Sequence, residues 1–433
     1  MATQKSAPGA PLQPPPVERP YAVVWAVTVA VVFGVALWVL VPWDWLPGGD
    51  LAPIDPTGGL PPEQLAHIER YASSKQWWEL GQTAVPPLFL LLLGFTGIGA
   101  RVVRRLPGIE GIWPLRVMLA ALAVVGVAWL TRLPFAAGVE HARNVEGFVP
   151  TGWALWTRGQ LGVLFGMWAV AALGALLIGL SARVMRRWWW AALSVVSGVL
   201  VVVGVWVAAQ LGTSSSTLPS MPDGPLRVSL LQVADEMGVE VTDIKVVPET
   251  PAVQVLNAYV APVSDGYDVV VFETMINRTS ADEIRFVAAH ELAHIEYGDG
   301  TQSAMLLGLG VAAAVSLVGA AATTRQRRRT DDGTGGAVAD PTAVPWLVAV
   351  GVIAALGLVP ALDAASRAVE ARADVAAMET TGDPGGLVTL QRRLAVLYVD
   401  DPHPGVWTRL SSGHPSHAER IALARGWRAR QQG

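Results

Sequence analysis

Residues 280–300 read SADEIRFVAAHELAHIEYGDG, and the stretch that follows them is almost wholly apolar. Ser280 and Glu283 stand at the spacing of a capping box, which starts a helix at this point. The helix runs through Ile284, Val287 and Leu292, and Gly298 is a natural stop. On it His290 and His294 are four apart, so both imidazoles project from one face. Two such rings can grip one zinc ion. Glu291, beside the first, is placed to take a proton from a water that the metal activates. The chain holds only seven histidines, so a pair at this spacing stands out.

A hydrolytic zinc takes three protein ligands and keeps a fourth position open, and the third can be His or a carboxylate. A third histidine on the same helix fails here, because Tyr297 and Gly300 occupy the positions that pattern needs. The best later candidate is Glu370, within SRAVEARAD at 366–374. Asp374 lies four residues further along the same helical face, where it would accept a hydrogen bond from a ligand imidazole and fix its orientation.

The rest of the chain is a membrane sequence. Of its 433 residues 52% are hydrophobic and only 15% charged, where a soluble protein carries about a quarter. A hydrocarbon core of ~30 Å needs about 20 apolar helical residues. Stretches at 21–42, 84–106, 115–137, 155–181, 188–211, 302–324 and 343–363 satisfy that need. The absence of cysteine excludes disulfides, thiolate catalysis and cysteine-ligated metal. A net charge of −4 gives no footprint for nucleic acid.

The expected organisation is a disordered Pro-rich tail at 1–20, then five spans within 21–212. A metallopeptidase unit carries the two histidines at 213–301. A membrane hairpin follows at 302–363, and the C-terminal part of the unit, with its third ligand, at 364–433. The expected fold is mainly α and polytopic, with about seven transmembrane helices. Its small α+β unit is split by the last helical hairpin. In that unit VTDIKVV, VQVLNAYVA and DVVVFE read as strands.

His294 and Glu370 lie a similar distance beyond the two ends of the hairpin, so both fall just beyond one membrane face. Arginines cluster after span two (Arg101, Arg104, Arg105), span four (Arg183, Arg186, Arg187) and span six (Arg325, Arg327, Arg328, Arg329). The positive-inside rule makes that side cytoplasmic and sets the metal helix on the other, extracytoplasmic side of the cell membrane. Arg132 and Arg158 fall at span ends, where snorkelling accounts for them. His67, His141, His403 and His417 have no partner at ligand spacing.

With HELAH at 290–294 and SRAVEARAD at 366–374, the chain resembles the type I CAAX prenyl protease family of integral-membrane zinc metallopeptidases. LNAYV (256–260), VVVFETMI (269–276) and GHPSHAERI (413–421) are similar to further segments of that family. Ala293 stands where the family often has Gly, and Ser416 where it has a second Pro. The resemblance implies one Zn²⁺ held by His290, His294 and Glu370, with Glu291 as catalytic base. It further implies that Asn257 and Ala258 lie on a strand that receives a peptide or protein substrate by β-addition. His414 and Arg420 would stabilise the oxyanion.

Three functions compete at this level. The first is a membrane zinc endopeptidase. A variant of it clips misfolded membrane or envelope proteins broadly. The last is a non-catalytic receptor or scaffold that zinc staples together, against which Glu291 stands.

Overall fold

A backbone in hydrocarbon must satisfy its own N–H and C=O groups, so the apolar runs can cross a bilayer only as helices. The computed structural model describes residues 18–43, 52–58, 60–106, 112–146, 152–185, 188–212, 215–250, 255–331, 338–398 and 405–432. Residues 1–17 of the expected tail lie outside these. The chain begins with α1 (Glu18–Leu40), α2 (Pro62–Phe95), α3 (Ile98–Arg104), α4 (Trp113–Val145), α5 (Trp153–Met185) and α6 (Trp189–Gly212). Next come α7 (Pro225–Glu236), β1 (Val241–Val247), β2 (Ala258–Val263), β3 (Gly266–Phe272), α8 (Glu273–Arg278) and α9 (Ala281–Glu296). The last elements are α10 (Asp299–Asp331), α11 (Val344–Thr381), α12 (Pro384–Leu397), α13 (Val406–Leu410) and α14 (His417–Gln431).

Among the described residues seven helices are long and apolar enough to cross a membrane: α1, α2, α4, α5, α6, α10 and α11. They are longer than their apolar cores, and α11 continues unbroken from the bilayer to Thr381. The stretch expected as one span at 84–106 is interrupted. Helix α2 ends at Phe95, Gly97 takes a left-handed φ of 72°, and α3 sets off anew.

The spans meet through small side chains and point their large ones outward. Ala120, Ala121 and Ala128 of α4 are fully buried, whereas Val24, Val31, Leu173 and Leu200 are more than half exposed, as lipid-facing residues are. At the crossing of α6 and α10, a Cβ built on Gly308 would lie 2.6 Å from Val202 Cγ2 and 2.8 Å from the Gly198 carbonyl oxygen. Only glycine allows that approach.

The three-stranded sheet has the order β1-β3-β2, with β1 parallel and β2 antiparallel to β3. Strand β2 is therefore an edge. One apolar core gathers Leu230 and Val233 (α7), Ile244, Val269 and Val271 (sheet), Phe286 and Leu292 (α9), Met378 (α11), Leu387 (α12) and Leu423 (α14). Segments on both sides of the α10–α11 hairpin thus fill a single interior. Helices α9 and α11 meet in that core through residues as small as Ala289, Ala293, Ala373 and Ala377, all fully buried. Close approach of two helices needs such a surface, and it brings the α11 backbone to the histidine helix.

Candidate metal centre

Helix α9 is fixed at its start by reciprocal bonds. The Glu283 N–H donates to Ser280 Oγ, and the Ser280 N–H donates to Glu283 Oε2 at 2.8 Å. Glu283 is almost fully buried and also meets Arg393 Nε at 3.3 Å, which ties α9 to α12. The helix ends at Tyr297 and Gly298, whose φ is 67°.

His290 Nε2 and His294 Nε2 stand 3.2 Å apart. Glu370, carried in by α11, has Oε2 at 3.3 Å from His290 Nε2 and Oε1 at 3.6 Å from His294 Nε2. Zinc–nitrogen and zinc–oxygen bonds of ~2.0–2.1 Å at tetrahedral angles separate ligand atoms by about 3.3 Å. The imidazole pair meets that spacing, Glu370 reaches it to His290 through Oε2 and approaches His294 through its other oxygen, Oε1, and the donor set is one that zinc favours. These residues fit the ion.

Each imidazole has its own carboxylate behind it, and each carboxylate its own arginine. His290 Nδ1 lies 3.0 Å from Asp374 Oδ1, off the N–H axis, so the contact is one of charge more than of an aligned hydrogen bond. Asp374 is wholly buried and accepts from Arg420, whose Nε donates to Oδ2 at 2.7 Å and whose Nη2 donates to Oδ1. His294 Nδ1 lies 2.8 Å from Asp299 Oδ2. Asp299 is buried too and accepts from Arg372 Nη2, while the Arg372 guanidinium stacks 4.4 Å over the Tyr297 ring.

The charges follow from this arrangement. Burial opposes a charge on His290, yet Asp374 and Glu370 outweigh it and push the imidazole up in the metal-free chain. Burial likewise opposes a charge on Glu370, which His290 and His414 nonetheless hold well below the usual carboxylate range. A cation entering the site takes the place of that proton among the carboxylates. Burial raises Glu291 above the usual carboxylate value, with His290 and His294 opposing.

A cavity of about 390 Å³ opens onto the triad, walled by Asn257 and Ala258 on one side and by Gln391, His414 and Arg420 on others. His414 Nδ1 lies 2.9 Å from Glu370 Oε2 and most of its side chain is exposed. Ser416 caps α14, its Oγ accepting from the Glu419 N–H at 3.3 Å, which sets Arg420 in the first turns of that helix. Asn257 lies one residue ahead of β2, outside the strand that the sequence led us to expect it on. Its carbonyl still accepts from the Phe272 N–H at 3.1 Å. By antiparallel alternation Ala258 and Val260 then direct their N–H and C=O groups to the open edge.

All nine residues singled out from the sequence meet around one cavity or directly behind it. Asp299 and Arg372 were missed. A continuous helix would put residue 299 about 140° around the axis from residue 294. The left-handed turn at Gly298 folds it back, so helical spacing gives no warning. The signal available was the Gly-Asp-Gly after the histidines, which reads only as a helix stop.

Two histidines and a glutamate from a second helix, with Glu291 beside them in a chain of seven long apolar helices, are arranged as the site of a membrane metallopeptidase would be. Residues 221–428 match the model of Peptidase family M48. In Bacillus subtilis strain 168 a protein described as uncharacterized metalloprotease YhfN is 27% identical over 205 residues. That match covers 46% of this chain, which spans about half the length (47%) of this curated relative. The crystal structure of S. mikatae Ste24p is similar in fold, with a TM-score of 0.65 at 16% identity. The match covers 94% of this chain and 99% of that one.

Proposed function

We propose that this chain is a membrane-embedded zinc metalloendopeptidase that hydrolyses peptide bonds in a peptide or protein substrate. The observation that carries the reading is the convergence of His290, His294 and Glu370, two imidazole nitrogens 3.2 Å apart with the Glu370 carboxylate facing both, a donor set that suits one zinc ion. One zinc ion held there would supply a Lewis acid and lower the pKa of water. Glu291, raised by burial, takes the proton from the attacking water and returns it to the leaving amine. Asp374 and Asp299 orient the two imidazoles, and Arg420 and Arg372 hold those carboxylates in place.

The substrate backbone pairs with the open edge of β2 beside Asn257 and Ala258, where main-chain hydrogen bonds hold it extended across the cavity. His414, on the cavity wall, donates to the oxyanion as the carbonyl becomes tetrahedral. Arg420 spends Nε and Nη2 on Asp374, so any share it takes in the oxyanion rests on Nη1. The arginine loops favour an extracytoplasmic catalytic unit, and a periplasm-dependent reporter inserted at 325–340 would stay silent.

The test is zinc content and peptide cleavage measured together on the detergent-purified protein. Glu291→Gln is expected to keep the metal and lose hydrolysis. Undiminished cleavage by that variant would overturn the mechanism. Mapping of products then separates a dedicated processor, which makes one cut, from broad clearance of misfolded membrane proteins.

A further inference from the structure

Arg132 does not snorkel to a helix end. It stands about 20 Å short of the end of α4 at Val145 at 1.5 Å per residue. Its guanidinium is half-buried between neighbouring helices, where Nη1 donates to Gln160 Oε1 of α5 and Nη2 to Gln82 Oε1 of α2 at 3.3 Å. Both acceptors are neutral amides. Among the described residues no carboxylate comes within ion-pair distance of Arg132, Arg143 or Arg158. These three arginines line one cavity of about 560 Å³ with Gln82, Gln160 and Trp156. Among the described residues Glu140 is the one carboxylate on that wall, so three arginines stand there with a single acidic side chain.

A cation drawn into a helix bundle at membrane depth is costly, and structures that keep one give it a counter-charge or a function. Two amide oxygens supply neither here. The cavity lies along the last four turns of α4 and the first two of α5, with Leu155 on its wall and Trp153 close by in the chain. Leu155 is 60% exposed and Trp153 74%. Trp153 and Trp156 pack edge to face at 5.8 Å, as interfacial aromatics do. A group that reaches this cavity from the bilayer edge is an amphiphile with its charge at headgroup level. Guanidinium forks match the oxygens of a phosphate.

We propose that Arg132, Arg143 and Arg158 form a binding site for the phosphate headgroup of an anionic phospholipid. The lipid supplies the negative charge that the protein withholds. Its acyl chains lie along Leu155 and Trp153. Gln82 also lines the larger cavity, of about 890 Å³, that runs between α2 and the segment bearing His414 and Arg420. The headgroup therefore sits one side chain away from the space next to the metal centre, while touching none of its ligands.

The test reads lipid, not proteolysis. The purified full chain is exchanged into vesicles of phosphatidylcholine with a minor share of phosphatidylglycerol, extracted, and its retained lipids quantified by mass spectrometry. The native chain is expected to enrich phosphatidylglycerol over the vesicle composition. Each of Arg132→Gln and Arg143→Gln should lower that enrichment roughly fivefold, at about one elementary interaction per arginine. Arg158→Gln, at an exposed position, should lower it in the same direction if the other two variants fail to fold. No enrichment by the native chain would overturn the proposal, as would enrichment unchanged in all the variants. A third overturning result is that a peptide with a free C-terminal carboxylate, but not its amide, protects the native chain against heat while phosphatidylglycerol does not. In that case the arginines serve a peptide end and not a lipid.

Discussion

His294 Nδ1 and Asp299 Oδ2 are 2.8 Å apart across a two-residue turn that separates the histidine helix from the sixth span. The contact puts the first residue of a long apolar helix directly behind a candidate metal ligand. An imidazole that donates from Nδ1 presents Nε2 with its lone pair toward the other ligands.

Asp299→Asn should therefore weaken zinc binding by about 10- to 100-fold, the usual effect of removing such a support. Competition with a chelator of known affinity measures it, and Asp299→Glu should recover part of the loss. Zinc affinity unchanged in Asp299→Asn would mean that the contact only packs the turn.

The open edge of β2 makes a prediction about substrate. Val260→Pro removes an N–H that points away from β3, so the sheet should survive while the substrate loses a partner. KM for peptides should rise with kcat little changed. Tyr259→Pro, whose N–H faces β3 by the same alternation, should instead unfold the unit, seen as lost zinc and a lower Tm.

At the α6–α10 crossing, Gly308→Ala forces a methyl group against the Gly198 carbonyl. The cost should be about 1–3 kcal/mol, as for overpacked interiors. Thermal unfolding in detergent would register it, and a Tm equal to that of the native chain would show that the helices can part without penalty.

Asp243 gives the unit a dependence on pH. Burial opposes its charge, but Lys245, Ser220 and Arg227 outweigh that and hold the carboxyl well below its ordinary value. Arg227 Nη1 and Lys245 Nζ each lie 2.8 Å from one of its oxygens. A carboxyl depressed in the folded state adds stability above its unfolded pKa, near 3.9, and loses it as pH falls toward the folded value. Asp243→Asn should thus be less stable than the native chain at pH 7. The gap should narrow below about pH 4, read by urea unfolding at each pH.

Much of this was legible beforehand because it rests on periodic features. The capping box at Ser280, the helical spacing of His290 and His294 and the seven apolar runs depend on local geometry alone, which a sequence states directly. Glu370 could be reached because the hairpin constrains where α11 emerges. What escaped depends on turns and on side-chain reach. Gly298 folds Asp299 back onto His294, and Gly97 breaks a span that hydropathy reads as continuous. Arg372 has no helical spacing to Asp299 that a sequence could show, yet its side chain spans to it. Arg132 looked like a snorkelling residue because hydropathy cannot tell which neighbours a long side chain will find.

The two imidazoles and the carboxylate that complete the triad are separated in the chain by both helices of the last hairpin, and Arg420 lies further still toward the C-terminus. During translation the ribosome must release, and the bilayer must accept, the whole of that hairpin before a third ligand exists. The nascent chain consequently has no complete triad until both helices of the hairpin have been made and taken up by the bilayer.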